Sequence, residues 1–345
     1  MGCPAKRITG NAPRAPHPPT IMWSMNSGSM PGYDLINVVE VTDRTVAARE
    51  REAAERVVRY PQLLGAGPAH FWLAEYDGRW RIRGNAELDP WDVRTSLASR
   101  LRFASEEVTG DDERAEMLDL ASRLDPEQYE VTKPEAGNEW VVTGKRYRVI
   151  RGHEFVRWGD DGPEPSRATD ADPGGGHAEE AYVFDPAAPT TPTDAALRLD
   201  LVNLVPDPQW VSPETAADAR AALTAYPGVV LLPVCHRAME VDDAGRWTPI
   251  GQGSPGPGQA RETLADYFRL MLPRFPPEDW TPGDVEEAVK AAEHLAGDPA
   301  TDFVVAGRHF RIVRGIRMIR VGRDGPEPAR PSDERLYPEW LADTA

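Results

Sequence analysis

Apolar and polar positions alternate along this chain in two rhythms, and the same succession of rhythms occurs twice. The stretch Asp43 to Arg59 predicts a first helix. Two short alternating runs follow, Phe71–Tyr76 and Arg79–Arg83, which Asp77-Gly78 would join as a hairpin. A second helix is expected from Asp89-Pro90, with Val93, Leu97 and Leu101 on one face. A third would start at Thr109-x-x-Asp112, where hydroxyl and carboxylate can occupy free amide hydrogens. Runs at Trp140–Thr143, Tyr147–Arg151 and Phe155–Trp158 predict a closing β-meander. In the second half a helix is expected after Ser212-Pro213-Glu214, another carries Leu264, Phe268 and Met271, and a third follows Thr281-x-x-Asp284.

The two successions are related in sequence. Residues 144–170 and 307–333 align without a gap and are identical at 13 of 27 positions. Upstream, Tyr60-Pro61 answers Tyr226-Pro227, His70 answers His236 at the same spacing from the tyrosine, and Gly78-Arg79-Trp80 answers Gly245-Arg246-Trp247. The expected fold class is α+β, a tandem duplication of one unit. Each unit holds an N-terminal helix, a β-hairpin, two helices and a C-terminal antiparallel β-meander. The expected division is a disordered tail at 1–30, units at 31–173 and 200–336, a Pro/Gly-rich linker at 174–199 and a short tail at 337–345. Met22, Met25 and Met30 compete with Met1 as start positions.

Composition narrows the function classes. The net charge of −17 disfavours polyanions and anionic membranes as partners. No apolar run approaches the ~20 residues of a spanning helix, and no secretory signal is visible, so a cytoplasmic setting is expected. Two cysteines, Cys3 and Cys235, supply neither a disulfide framework nor a metal set. No cofactor motif is found: the glycines from Gly251 to Gly258 lack the Gly-Lys-Ser/Thr of a phosphate loop.

Against this acidity the two meanders are basic. Residues 145–167 carry six basic and four acidic side chains, and 308–330 carry seven and two. Arg148, Arg151, Arg157, Arg311, Arg314 and Arg320 are therefore candidate ligands for a phosphate or carboxylate, with structural pairing as the competing reading. His70 and His236 are the candidate bases, against which stands a buried, hydrogen-bonded role. Cys235-His236 is a poor pair because neighbouring strand residues face opposite sides, and His153-Glu154, answered by Ile316-Arg317, reads as surface variation. The shared Gly159-x-Asp161-Gly162-Pro163-Glu164-Pro165-x-Arg167 segment reads first as a rigid corner, with Arg167 and Glu164 as local partners.

That segment, at Arg151–Arg167 and Arg314–Arg330, resembles an uncharacterised family of actinobacterial, chiefly streptomycete, proteins of unknown function. The likeness covers most of residues 30–345 and implies no activity, ligand or catalytic residue. The expectation from the residues themselves is a non-enzymatic binding or interaction protein that uses the arginine-bearing meanders, with an unknown protein or small anion as partner. The alternative is an enzyme acting on a phosphorylated or carboxylated molecule in a cleft between the units. It requires His70 and Arg151 to converge on one pocket.

Overall fold

The computed structural model describes residues 32–126, 134–172, 182–207, 209, 211–242 and 245–336. The two expected tails, Cys3, and the His177, Glu179 and Glu180 group lie outside them. The first half runs β1 (Asn37–Val38), α1 (Arg44–Arg59), β2 (Gln62–Gly65), β3 (His70–Tyr76), β4 (Trp80–Glu87), α2 (Pro90–Glu107), α3 (Asp111–Leu124), β5 (Glu139–Val142), β6 (Lys145–Gly159) and β7 (Gly162–Pro163). After β8 (Pro189–Thr190) and α4 (Pro192–Val202), the second half runs α5 (Pro213–Ala225), β9 (Gly228–Val241), β10 (Trp247–Ser254), α6 (Pro257–Asp266), α7 (Pro282–Leu295), β11 (Asp302–Val305), β12 (Arg308–Gly322) and β13 (Gly325–Pro326).

Local chemistry sets most helix starts. The Asp43 carboxylate accepts from the amides of Thr45 and Val46, and Asp89 accepts from that of Trp91. Thr281 and Asp284 form a reciprocal capping box at α7. Thr109 does not do the same for α3, which begins behind Gly110 without a side-chain cap. Past α6 a π-helical turn at Tyr267–Met271 advances the register, so Leu272 is buried where Met271 was expected and Met271 is left half-exposed.

Both halves share one sheet, a curled antiparallel half-barrel in the order β10-β9-β12-β6-β3-β4. Its seam is the β6–β12 pairing, with Val156 opposite Gly315, Glu154 opposite Arg317 and Gly152 opposite Ile319. The aligned segments are offset by 163 (307 − 144). At that offset Glu154 and Arg317 are counterparts, so the register is symmetrical about this one pair. On one face α2 and α3 cover Phe71, Leu73 and Val149, while α6 and α7 cover Ala238, Phe310 and Ile312. Between them, α4 packs Leu197, Leu201 and Val202 on Phe155, Ile316 and Met318. The opposite face carries Trp72, Ile82, Ile150, Val230, Leu232 and Ile319.

Two expectations are corrected here. The meander strands Tyr147–Arg151 and Phe155–Trp158 are one continuous fifteen-residue strand, β6, with no turn at Arg151-Gly152. Gly152 is glycine for proximity: a Cβ there would lie 2.6 Å from the Met318 carbonyl oxygen and 2.6 Å from the Trp72 ring. The stretch 174–199 is also more than a linker, since it enters helix α4 at Thr191-Pro192, where the Thr191 hydroxyl accepts from the Asp194 amide. Buried Arg320 closes the far end of that helix by donating to the carbonyls of Leu201, Val202 and Leu204.

Candidate functional site

The shared Asp-Gly-Pro-Glu-Pro segments are arms, and each arm crosses to the other half. After the corner at Gly162, where φ is +101°, residues 164–166 pair with β12: Arg314 N donates to Glu164 O and Ser166 N to Ile312 O. After Gly325, at φ +109°, residues 327–329 pair with β6: Arg151 N donates to Glu327 O and Ala329 N to Val149 O. Arg148 holds the second arm by donating to the carbonyls of Asp324 (3.1 Å) and Pro326 (2.8 Å). Arg311 holds the first through those of Asp161 (2.9 Å) and Pro163 (3.0 Å). The Arg148 guanidinium sits 4.9 Å from the Trp80 ring, and that of Arg311 5.1 Å from the Trp247 ring. Gly325 and Gly162 lie against the same two rings, where a Cβ would come within 2.2 Å and 2.7 Å.

The other candidates occupy the same clasp. Arg151 Nε donates to Asp333 at 2.9 Å and its Nη1 meets His153 Nε2. Arg314 Nε donates to Asp170 at 3.3 Å, and His236 Nε2 meets the other oxygen of that carboxylate at 3.0 Å. Burial alone would raise the Asp170 carboxyl, but the His236 hydrogen bond and Arg314 hold it well below its usual range. Arg157 is buried beside Glu164 and Asp200, and desolvation lowers its pKa. Arg320 is lowered to about 10 by the same cause. Arg167 donates to Glu164 at 2.7 Å and Arg330 to Glu327 at 2.6 Å.

His70 lies elsewhere. It pairs with Gly152 across β3–β6, whereas Phe71 pairs with Arg151, so His70 and Arg151 face opposite sides of the sheet. The convergence required by the cleft-enzyme reading, His70 with Arg151, is therefore absent. The correspondence of His70 with His236 also shifts by one residue. Opposite Gly315, the counterpart of Gly152, stands Cys235, and His236 stands opposite Arg314. Cys235 and His236 thus look to opposite faces, as adjacent strand residues must.

On the His70 face a cavity of about 600 Å³ opens between the halves, over the seam. Its floor is formed by His70, Glu154, Arg237 and Arg317. Glu154 is 3% exposed, which corrects the reading of His153-Glu154 as surface variation; His153 itself lines a separate pocket with Arg151. Arg237 Nη2 donates to the Glu154 carboxylate at 2.6 Å, and His70 Nε2 lies 3.9 Å from it. Arg317 is buried and donates to Pro233 O at 2.8 Å. Burial, then the charges of Arg237 and Arg317, lower the His70 imidazole to about 4, so it is neutral at pH 7. The Cys235 thiol, buried beside Glu154, is pushed up to about 12. The walls are strand ends from each half, Asn85, Ala86 and Leu88 with Gln252, Gly253 and Pro255, together with Gln259, Glu262, Thr263 and Asp266 from α6.

Four buried polar atoms of this lining have no hydrogen-bond partner among the described residues: His70 Nδ1, Glu154 Oε1, Arg237 Nε and Gln259 Oε1. The sequence reading leaves Arg237 out and sets Glu154 and Arg317 aside as surface variation. The signal that finds them is disagreement between the matching halves. Clasp counterparts are identical: Arg148/Arg311, Arg151/Arg314, Asp161/Asp324, Glu164/Glu327, Arg167/Arg330 and Asp170/Asp333. The counterparts at the cavity floor are Glu154/Arg317, His70/Cys235 and Trp72/Arg237, and each pair differs in chemistry.

Among the described residues no group of His, Cys, Asp and Glu side chains could hold a metal ion, and no helix is long and apolar enough to cross a membrane. No curated protein and no solved structure matches the chain. A match to a family model spans residues 43–336, which takes in both arms, both sheet halves and the cavity between them; the chain belongs to the family of unknown function DUF5954.

Proposed function

We propose that this protein is a binding protein for a small anionic molecule, a carboxylate or phosphate, held in the cavity over the seam. The observation that carries the reading is the lining itself. Two guanidiniums face one carboxylate and a neutral imidazole there, and buried polar atoms of His70, Glu154, Arg237 and Gln259 remain unpartnered. Leaving such groups unpaired costs about 1–3 kcal/mol each, which a ligand bearing acceptor oxygens and a donor would recover. Arg148, Arg151, Arg311 and Arg314 serve the arms, Arg320 closes α4 and Arg157 is buried, so the binding role passes from the meander surface to this cavity. A binding role is favoured over catalysis because a base titrating at about 4 has little affinity for a substrate proton at neutral pH. In this reading the halves descend from one duplicated unit in a cytoplasmic protein. The clasp retains the ancestral residues and the seam has diverged into a site.

Gly253 supplies the test. A Cβ added there would lie 3.5 Å from Arg237 Nη2 and 3.4 Å from Cys235, contacts that the backbone tolerates. A Gly253→Leu side chain would therefore enter the cavity without removing a charge. Calorimetry against a panel of small carboxylates and phosphate monoesters is expected to find a ligand whose affinity falls at least about tenfold in Gly253→Leu, while the melting temperature without ligand stays near that of the parent. A panel that binds parent and variant equally places the anion site elsewhere.

A further inference from the structure

The charge on the cavity wall is one-sided, and that side specifies the ligand further. The hairpins and following helices align at an offset of 167 (247 − 80), which also superposes Gly84 on Gly251 and Pro90 on Pro257. At that offset Glu262 and Asp266 of α6 replace Thr95 and Ser99 of α2. Only the α6 pair lines the cavity. Both carboxylates are exposed and one helical turn apart, hence on one face. Asp266 carries Arg269 at 3.1 Å, whereas Glu262 has no cationic partner among the described residues. The floor, with Arg237 and Arg317 against Glu154, holds one net positive charge. Positive floor and negative wall thus belong to one cleft, and His70, 8% exposed, keeps its Nδ1 unpartnered within the lining.

Resting on the binding role above, we propose that the ligand is a small zwitterion, with its acid group on the Arg237 and Arg317 floor and a primary ammonium against Glu262. A monoanion alone would leave Glu262 facing an empty wall and would gain nothing from it. An ammonium would pair with that exposed carboxylate while the acid group of the same molecule is held on the buried floor.

The test is calorimetric titration of the full chain with matched pairs. Glycine, β-alanine, 4-aminobutyrate and 5-aminopentanoate are compared with acetate, propanoate, butanoate and pentanoate, and phosphoethanolamine with ethyl phosphate. At least one amine-bearing member is expected to bind about tenfold tighter than its deaminated partner. In Glu262→Gln that preference is expected to fall to within about twofold. The carboxylate and phosphate arms separate the two acid groups by which pair responds. Equal binding of both members in every pair overturns the zwitterion while leaving the anion site standing. A preference that survives Glu262→Gln overturns the assigned role of that residue. If no compound of the series binds, the zwitterion and the anion site fall together.

Discussion

Alanine at Arg148 or at Arg311 is expected to lower the unfolding free energy by about 3–5 kcal/mol, the cost of leaving a buried ionic network without its cation. Arg148 is 3% exposed and donates to the Glu139 carboxylate, the Asp324 carboxylate and two arm carbonyls, with the Trp80 ring against its guanidinium. Its removal strands the carbonyls of Asp324 and Pro326 and releases the second arm from β6. Arg311 stands in the same relation to the first arm. Lysine is not an adequate replacement at either position, because one ammonium cannot span the two carbonyls and the carboxylate that the planar fork reaches. Asp324, exposed on the surface, is the control. Its replacement by alanine leaves the arm carbonyls paired and should cost under about 1 kcal/mol. Urea unfolding of the three alanine variants tests this, and a loss below about 1 kcal/mol at both arginine positions would mean that the arms do not hold the halves together. Against a total stability of about 5–15 kcal/mol, the expected loss is a large fraction.

What was legible in the sequence had a local cause. Asp43, Asp89-Pro90, Ser212-Pro213 and Asp77-Gly78 act on the amides beside them, and the structure places helices α1, α2 and α5 and the first hairpin there. Thr191-Pro192 carried the same kind of signal for α4, but the prolines and glycines around it read as a linker. What was not legible depends on residues far apart. Nothing near Gly152 reveals that Met318 and Trp72 crowd it, so a glycine serving close approach was taken for a turn. Nor does spacing from a tyrosine fix a face. The two halves reach β3 and β9 with chain of slightly different length, and a one-residue slip set His236 against His70 when Cys235 is the counterpart.

The arginines carry a more general lesson about chains whose halves match in sequence. Recurrence between the halves singles out Arg148, Arg151, Arg311 and Arg314, yet each of these four meets a partner supplied by the arm of the opposite half. A contact made twice by symmetry must keep both residues twice, so structure recurs. A ligand seated at the symmetry axis makes no such demand unless it is itself symmetrical. An asymmetric ligand favours different residues there, and the floor pairs all differ.

Acidification should expose the His70 environment directly. An unfolded histidine titrates near 6.5, while burial beside Arg237 and Arg317 lowers His70 to about 4. Between these values the unfolded chain binds a proton that the folded protein refuses, so stability falls as pH falls from about 6.5 to about 4. Above that window the imidazole is neutral in both states, and below it both are protonated. Two and a half pH units at about 1.4 kcal/mol each give a loss on the order of 3 kcal/mol from this residue. His153, buried beside Arg151, acts in the same direction. Asp170 acts lower: its carboxyl is depressed, so its contribution is lost only as pH drops below 3.8. Asp194, raised by burial, works with the opposite sign but equally in parent and variant, and so cancels in the comparison. His70→Gln removes the titrating group. It is expected to be less stable than the parent at pH 7, with the gap closing by up to about 3 kcal/mol by pH 4 in urea unfolding. The imidazole resonances of His70 should move with a midpoint near 4, and an anion on the floor should raise that midpoint by offsetting the two arginines. A midpoint near 6.5 in the free protein would show that neither burial nor the two guanidiniums act on His70, and the buried positive floor would go with them.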